Sequence, residues 1–157
     1  MKRPTGRTIA LAVAFITVAL TTAAVRTSPS NTAAKKATIT VYKDPACGCC
    51  KKWIEHLLKN GYRVDAKDAP NMTEIKRTLG VPDALTACHT AVVNGYLIEG
   101  HVPAADIDRL LEQKPRIAGL AVPGMPAGSP GMEGMGSQHY QVMTFDKKGK
   151  TTVFTNH

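Results

Sequence analysis

The sequence predicts an α/β domain, because segments with the two-residue period of strands alternate with segments of helical period from Thr38 to Lys114. Two short apolar runs flank Asn94-Gly95, which is the strongest short signal for a β-hairpin. The predicted order is a strand at 38–42, a helix from Cys50 to Gly61, a strand at 62–68, a helix at 71–80, a hairpin at 90–100 and a helix at 103–114. This β-α-β-α-β-β-α order is the thioredoxin-like arrangement.

Each predicted helix has either an apolar face at three- and four-residue spacing or clear terminal signals. In the second helix, Asn71 is the expected N-cap and Gly80 the expected terminator. Pro103 suits the first position of the third helix, where the missing amide hydrogen costs nothing. The apolar face of the first helix consists of Trp53, Ile54, Leu57 and Leu58.

The chain after the third helix divides into a loop and a second hairpin. The stretch 117–137 is rich in Gly and Pro, so we expect no regular structure there. The last residues predict a hairpin that turns at Lys148-Gly149. We therefore expect a domain at 38–157, divided into a core (38–122), a methionine-rich loop (123–138) and a C-terminal hairpin (139–157).

The N-terminus has the pattern of a secretory signal peptide. Lys2, Arg3 and Arg7 precede an apolar run of 17 residues, from Thr8 to Ala24. We expect cleavage after Ala24, a flexible leader at 25–37 and a periplasmic location without membrane attachment. An uncleaved membrane anchor is the alternative, because 17 residues is the lower limit for a membrane span.

Charge and composition argue against a nucleic-acid partner. The formal charge of +8 includes three charges from the signal region, so the remaining chain carries +5. Nucleic-acid surfaces need clustered Lys and Arg, and no basic stripe with interleaved aromatic residues occurs here. Export matters more, because cysteines outside the cytoplasm tend to be oxidised to disulfides.

Three cysteines lie within four positions of the segment "DPACGCC", at the predicted start of the first helix. Cys47 and Cys50 have the two-residue spacing of thioredoxin-like redox pairs. A helix N-terminus favours the thiolate form. Cys49 is surplus to a redox pair, and Gly48 lets the turn curl so that several sulfurs can face one point.

A fourth cysteine, Cys88, precedes the predicted third strand, which the fold places beside the start of the first helix. Four converging thiolates suit zinc, an iron–sulfur cluster or cuprous copper. Cys49 and Cys50 are adjacent, which favours several soft ions bridged by thiolates over one tetrahedral ion. The alternative is structural disulfides, although adjacent cysteines bridge only with strain and we expect no easy pairing among Cys47, Cys49 and Cys50.

Thioether and imidazole groups supply further candidate ligands. Met125, Met132 and Met135 lie close together in the methionine-rich loop, and thioethers select cuprous copper. His89 follows Cys88, and His101 lies at a predicted strand-to-helix junction. His56 lies on the helix face away from Trp53, so we expect it to be solvated.

Three blocks of the sequence resemble the periplasmic copper-resistance proteins of the CopG type, which are thioredoxin-like. These blocks are "DPACGCCKKWIEHL", "ACHTAVVNGYLIEGHVPAADIDRLL" and "GLAVPGMPAGSPGME", and the resemblance covers about Thr38 to Glu133. The resemblance implies a metal-binding role, with cuprous copper as the metal, in copper tolerance. The family's cysteine motif falls on Cys47, Cys49 and Cys50, and its distal cysteine on Cys88.

The leading hypothesis is a periplasmic copper-binding protein that holds one or more Cu(I) ions and interconverts Cu(II) and Cu(I) through Cys47 and Cys50. Copper ions and other periplasmic copper-handling proteins are the expected partners. Alternatives are a thiol–disulfide oxidoreductase of the cell envelope and a structural zinc or iron–sulfur module. Thioredoxin-like enzymes usually carry a cis-proline before the third strand, where Ala87-Cys88-His89 stands here, and this disfavours the oxidoreductase.

Overall fold

The computed structural model describes residues 36–157, so the predicted signal peptide and most of the predicted leader lie outside the described residues. No helix in this range is long and apolar enough to cross a bilayer. Short 3-10 turns occupy Asp83–Leu85 and Glu133–Met135. The main elements are β1 (Thr38–Lys43), α1 (Gly48–Lys59), β2 (Arg63–Asp68), α2 (Met72–Leu79), β3 (His89–Val93), β4 (Tyr96–Gly100), α3 (Ala104–Gln113), β5 (Gly119–Val122), β6 (Gln141–Phe145) and β7 (Thr151–Asn156).

The seven strands form one mixed sheet in the order β2-β1-β3-β4-β5-β6-β7. β1 pairs parallel with β2 and antiparallel with β3, and β3 pairs antiparallel with β4. Asn94 and Gly95 both have positive φ, +46° and +85°, as the predicted two-residue hairpin turn requires. The first four strands and three helices therefore form the predicted thioredoxin-like arrangement.

The helices cover both faces of the sheet. Trp53 and Leu57 of α1 and Ile107 of α3 belong to one buried cluster with the apolar side chains of β1, β3 and β4. α2 packs against β1 and β3 from the other face, where its Lys76 contacts Thr90 of β3. Successive strand residues point to opposite faces, so each face receives alternate side chains of β3 and β4.

The stretch 117–137 is not wholly irregular, and this part of the sequence-based prediction is wrong. Gly119–Val122 forms β5, which pairs parallel with β4 and antiparallel with β6. β5 lies between two strands and is covered on both faces of the sheet, so Leu120, Ala121 and Val122 are fully buried. The predicted C-terminal hairpin is confirmed as β6 and β7, with Asp146 accepting the turn hydrogen bond from Gly149 N.

Candidate metal centre

The cysteine turn lies where β1 ends and α1 begins. The Asp44 side chain accepts a hydrogen bond from Ala46 N at 2.7 Å, and its carbonyl accepts one from Cys47 N at 3.1 Å. Cys47 is the N-cap of α1, and its Sγ accepts from Cys50 N at 3.3 Å. α1 begins at Gly48, two residues before the predicted start, so Cys49 and Cys50 both lie in its first turn.

The four cysteine sulfurs converge, lying within 4.8 Å of one another. Cys47 and Cys50 form a disulfide, while Cys49 and Cys88 are free. The disulfide agrees with the redox-pair spacing of Cys47 and Cys50, and it corrects the expectation of no easy pairing among the three neighbouring cysteines, since the Cα atoms of these two lie 5.4 Å apart. Cys49 Sγ lies 3.5 Å from Cys47 Sγ and 3.6 Å from Cys88 Sγ, so it is central to the cluster.

The cluster combines a buried base with a partly exposed rim. Cys50 is fully buried, whereas Cys47, Cys49 and Cys88 are half-buried. Burial and the neighbouring Cys49 raise the pKa of the Cys88 thiol to about 12. Without a metal or another cation, Cys88 is therefore protonated at neutral pH.

The His101 ring lies directly beside Cys88. His101 Nδ1 lies 2.7 Å from the carbonyl oxygen of Pro130, which can only accept, so Nδ1 carries the hydrogen. Nε2 then presents its lone pair to Cys88 Sγ, 3.4 Å away. Burial lowers the pKa of His101, which keeps the ring neutral. Of the histidines predicted as candidate ligands, His101 is the one with a ring nitrogen in contact with a cluster sulfur.

His89 lies behind the cluster and is fully buried. Its ring packs against Trp53 at a centroid distance of 4.3 Å and against His101 at 5.1 Å. Neither ring nitrogen has a hydrogen-bond partner among the described residues. Burial and the neighbouring His101 hold the pKa of His89 well below its usual value, so the ring is neutral.

The methionine-rich loop approaches the first turn of α1. Gly131 has φ +89°, and a Cβ there would lie 2.9 Å from both Cys49 O and Trp53 N. The loop is braced by its own hydrogen bonds, including Met132 N to Ser129 O at 2.8 Å.

The predicted methionine ligands differ in exposure. Met132 is half-buried beside Gly131, whereas Met125 and Met135 expose 54% and 71% of their surface. The loop backbone thus packs against α1 at Gly131, while the side chains of Met125 and Met135 are exposed to solvent.

His56 is not simply solvated, which corrects the sequence-based expectation. Its ring is half-buried, and Nε2 accepts a hydrogen bond from Ala104 N at 3.0 Å, at the start of α3. Burial lowers the pKa of His56, so the neutral acceptor form is favoured. His56 lies three residues after Trp53 and so on the same side of α1, and this side meets Val102 and the N-terminus of α3.

Sequence reasoning missed a buried ionic network beneath the Cys88 turn. Lys76 of α2 pairs with Glu99 of β4, and Thr90 of β3 links the two. Glu99 is fully buried, and its Oε1 accepts from Ala87 N at 2.7 Å. The one available signal was a glutamate inside the apolar strand "YLIEG".

The fold and the cluster define a thioredoxin-like domain with a cysteine site able to hold metal. The family described as "Protein of unknown function, DUF411" matches residues 85–132, which include Cys88 and His101. No curated protein matches the chain significantly.

Two solved structures are similar to the chain, "Copper resistance protein copG- Form 2" and "Copper resistance protein copG- Form 1". Each is 45% identical, with a TM-score of 0.73. Each match covers 77% of this chain, and 98% and 97% of the two solved chains respectively. The chain therefore belongs to the CopG family of copper-resistance proteins.

Proposed function

We propose that this protein is a periplasmic copper-binding protein that holds Cu(I) in copper resistance. The observation that carries the proposal is the convergence of four cysteine sulfurs within 4.8 Å. Thiolates are soft ligands, which select Cu(I) over the harder divalent ions. The copper-resistance names of the similar structures favour copper over other soft metals.

The ligands in this proposal are the four thiolates of Cys47, Cys49, Cys50 and Cys88, after reduction of the disulfide. Cys49 lies 3.5 and 3.6 Å from two of the other sulfurs, which suits thiolates that bridge several ions. The set therefore holds more than one Cu(I).

Neutral groups around the cluster complete the proposed site. His101 offers a lone pair on Nε2 beside Cys88 Sγ. Met132 is the least exposed of the three loop methionines and follows Gly131, whereas Met125 and Met135 are available from a more exposed position. His89 is a candidate because its buried ring nitrogens have no partner among the described residues.

The Cys47–Cys50 pair adds redox chemistry to binding. When the two thiols close to a disulfide they release two electrons and two protons, and two Cu(II) ions take the electrons to become two Cu(I). The disulfide between these residues supports this role. Export through the signal peptide at 1–24 would bring the protein to the periplasm, where other copper-handling proteins would deliver or receive the metal.

A thiol–disulfide oxidoreductase is the second candidate, and the same disulfide favours it. Against it, Ala87-Cys88-His89 stands where such enzymes dock substrate beside a cis-proline, and no cis peptide bond occurs in residues 36–157. A free thiol at that position suits a metal site better than a peptide-docking surface.

The test is an anaerobic Cu(I) titration of the reduced protein against a chelator of known affinity, with bound metals counted by mass spectrometry of the intact protein. We expect more than one tightly held copper per chain, and a loss of stoichiometry in Cys49→Ser and Cys88→Ser. His139→Ala is the control, because His139 is exposed. Unchanged stoichiometry in both Cys variants contradicts the proposal. Insulin reduction by the metal-free protein would favour the oxidoreductase, and zinc or iron in the isolated protein would favour a structural module.

A further inference from the structure

The turn that carries Cys88 needs a specific support. Thioredoxin-like enzymes usually shape the turn before the third strand with a cis-proline, and this chain has Ala87 and Cys88 there with trans peptide bonds. Cys88 Sγ nevertheless lies 3.6 Å from Cys49 Sγ and 3.4 Å from His101 Nε2. Something other than proline must fix this turn.

Three consecutive residues at the end of β4 contact the turn. Glu99 Oε1 accepts a hydrogen bond from Ala87 N at 2.7 Å. Gly100 leaves room for Ala87, since a Cβ at Gly100 would lie 2.6 Å from the Ala87 Cβ. His101 reaches Cys88 Sγ. Of these contacts, the hydrogen bond from Ala87 N to Glu99 is the one that holds the backbone of the turn.

The Glu99 carboxylate is itself held by partners on its own face of the sheet, the face that α2 covers. Lys76 Nζ pairs with Glu99 Oε1, and Thr90 Oγ1 donates to Oε2 at 2.6 Å. Lys76 Nζ also donates to Thr90 Oγ1 at 3.0 Å. With the bond from Ala87 N, both carboxylate oxygens have donors, so the acceptor cannot rotate. An ionised acceptor also makes a shorter and stronger hydrogen bond than a neutral one.

Stability alone does not account for such a network. Burying two charges is costly, and apolar replacements of buried ion pairs are often neutral or stabilising. We infer that Lys76, Thr90 and Glu99 are positioning residues, which hold the Ala87–Cys88 turn so that Cys88 Sγ stays within reach of Cys49. The inference deepens the proposed copper site, because Cys88 is one of its ligands, but its test needs no copper.

The test measures how well Cys49 and Cys88 are placed for each other. In a Cys47→Ser/Cys50→Ser background these two are the remaining cysteines. They lose two hydrogens to glutathione disulfide, which becomes two glutathione molecules, and a Cys49–Cys88 disulfide forms. The equilibrium constant of this exchange is the effective concentration of one thiol at the other, which is a direct readout of their placement.

The decisive variant replaces the network with apolar side chains, Lys76→Met/Thr90→Val/Glu99→Leu. It removes the acceptor for Ala87 N without leaving an unpaired charge, so the free energy of unfolding should be little changed or higher. We expect the effective concentration to fall about tenfold or more. Lys76→Met/Glu99→Gln keeps a neutral acceptor, and we expect a loss of about threefold or less.

A remote buried carboxylate supplies the matched control. Asp106 of α3 accepts from Arg109 and Thr155 and pairs with His157. Asp106→Asn should lower the free energy of unfolding and leave the effective concentration within about twofold of the background.

An unchanged effective concentration in the apolar triple variant overturns the inference and leaves the network as packing. If the triple variant fails to fold, the single variant Thr90→Val decides. We expect its effective concentration to fall about threefold, and an unchanged value would contradict the inference. An equal drop in Asp106→Asn also contradicts it, because the effect would then follow stability. A failed copper titration of the native protein would remove the proposed function without changing any of these outcomes.

Discussion

Replacing Gly131 with alanine should lift the methionine-rich loop from α1. The added Cβ would lie 2.9 Å from Cys49 O and 2.9 Å from Trp53 N, closer than ordinary contacts allow. Both neighbours are backbone atoms of α1, so they cannot turn aside as a flexible side chain would. The loop must therefore move, and the hydrogen bond from His101 Nδ1 to Pro130 O should break with it.

The expected loss in the free energy of unfolding has two parts, and substitutions at other glycines of the loop measure them separately. A non-glycine residue at the φ of +89° costs about 1–2 kcal/mol, and losing the His101 hydrogen bond adds about 1 kcal/mol. Gly136, at φ +93° with no atom within 4 Å, tests the backbone cost alone. Gly134 is the control, because it has open space around it and no positive φ. Its change to alanine should alter the free energy of unfolding by less than about 1 kcal/mol.

The assay is urea unfolding of the reduced protein at pH 7, followed by tryptophan fluorescence. We expect Gly131→Ala to lose about 2–3 kcal/mol, Gly136→Ala about 1–2 kcal/mol and Gly134→Ala close to nothing. The His101 ring resonances should shift in Gly131→Ala alone. Equal losses at positions 131 and 136, with an unshifted His101, would refute the close contact between the loop and α1.

Three further changes test other parts of the structure. Trp53→Phe removes the indole hydrogen bond to Val102 O at 2.9 Å and should lower the free energy of unfolding by about 2 kcal/mol. Because Trp53 is the one tryptophan of the chain, urea unfolding of this variant is followed by circular dichroism, and a loss below about 0.5 kcal/mol would be inconsistent with a buried, unpaired carbonyl. Burial and the hydrogen bond to Asp108 raise the pKa of Tyr62 above its usual range, so the stability from Tyr62 is present below about pH 10 and falls as the pH rises further. Tyr62→Phe should therefore remove the step at highest pH from the tyrosinate absorbance titration, and an unaltered titration would count against this. Burial lowers the pKa of His56, so its stabilising contribution is present above about pH 6.5 and is lost as the pH falls. Between pH 7 and pH 5 the free energy of unfolding should therefore fall less in His56→Gln than in the native protein. An equal fall in both proteins would argue against the hydrogen bond from Ala104 N to His56.

The elements that the sequence predicted well are those defined by local signals. Period-two and helical patterns located β1 to β4 and the three helices, and Asn94-Gly95 located the turn between β3 and β4. β5 was missed because a four-residue apolar run among glycines and prolines has no period to read. What makes Gly119–Val122 a strand is pairing with β4 and β6, which are distant in the sequence.

The candidate site shows the same division between local and distant information. Cys47, Cys49 and Cys50 are neighbours in the sequence, and the fold was enough to predict Cys88 beside them. The hydrogen bond from Ala87 N to Glu99 was not predictable, because the Lys76 that pairs with Glu99 lies on a polar helix and reaches the carboxylate across the sheet surface. Charged residues on a short amphipathic helix usually face water, and only the packing of α2 on the sheet shows this exception.

The hydrogen bond from His101 to the methionine-rich loop has a consequence for the electronic character of the site. While Pro130 O holds the hydrogen on Nδ1, the opposite nitrogen offers an electron pair to Cys88. Once the loop lifts, either nitrogen can carry the hydrogen, and the ring can offer Cys88 a donor instead. A backbone movement on one side of an imidazole would thus exchange acceptor for donor on the other, without displacing any cysteine. Access to the cluster and the hydrogen-bonding character of the His101 ring would then change together.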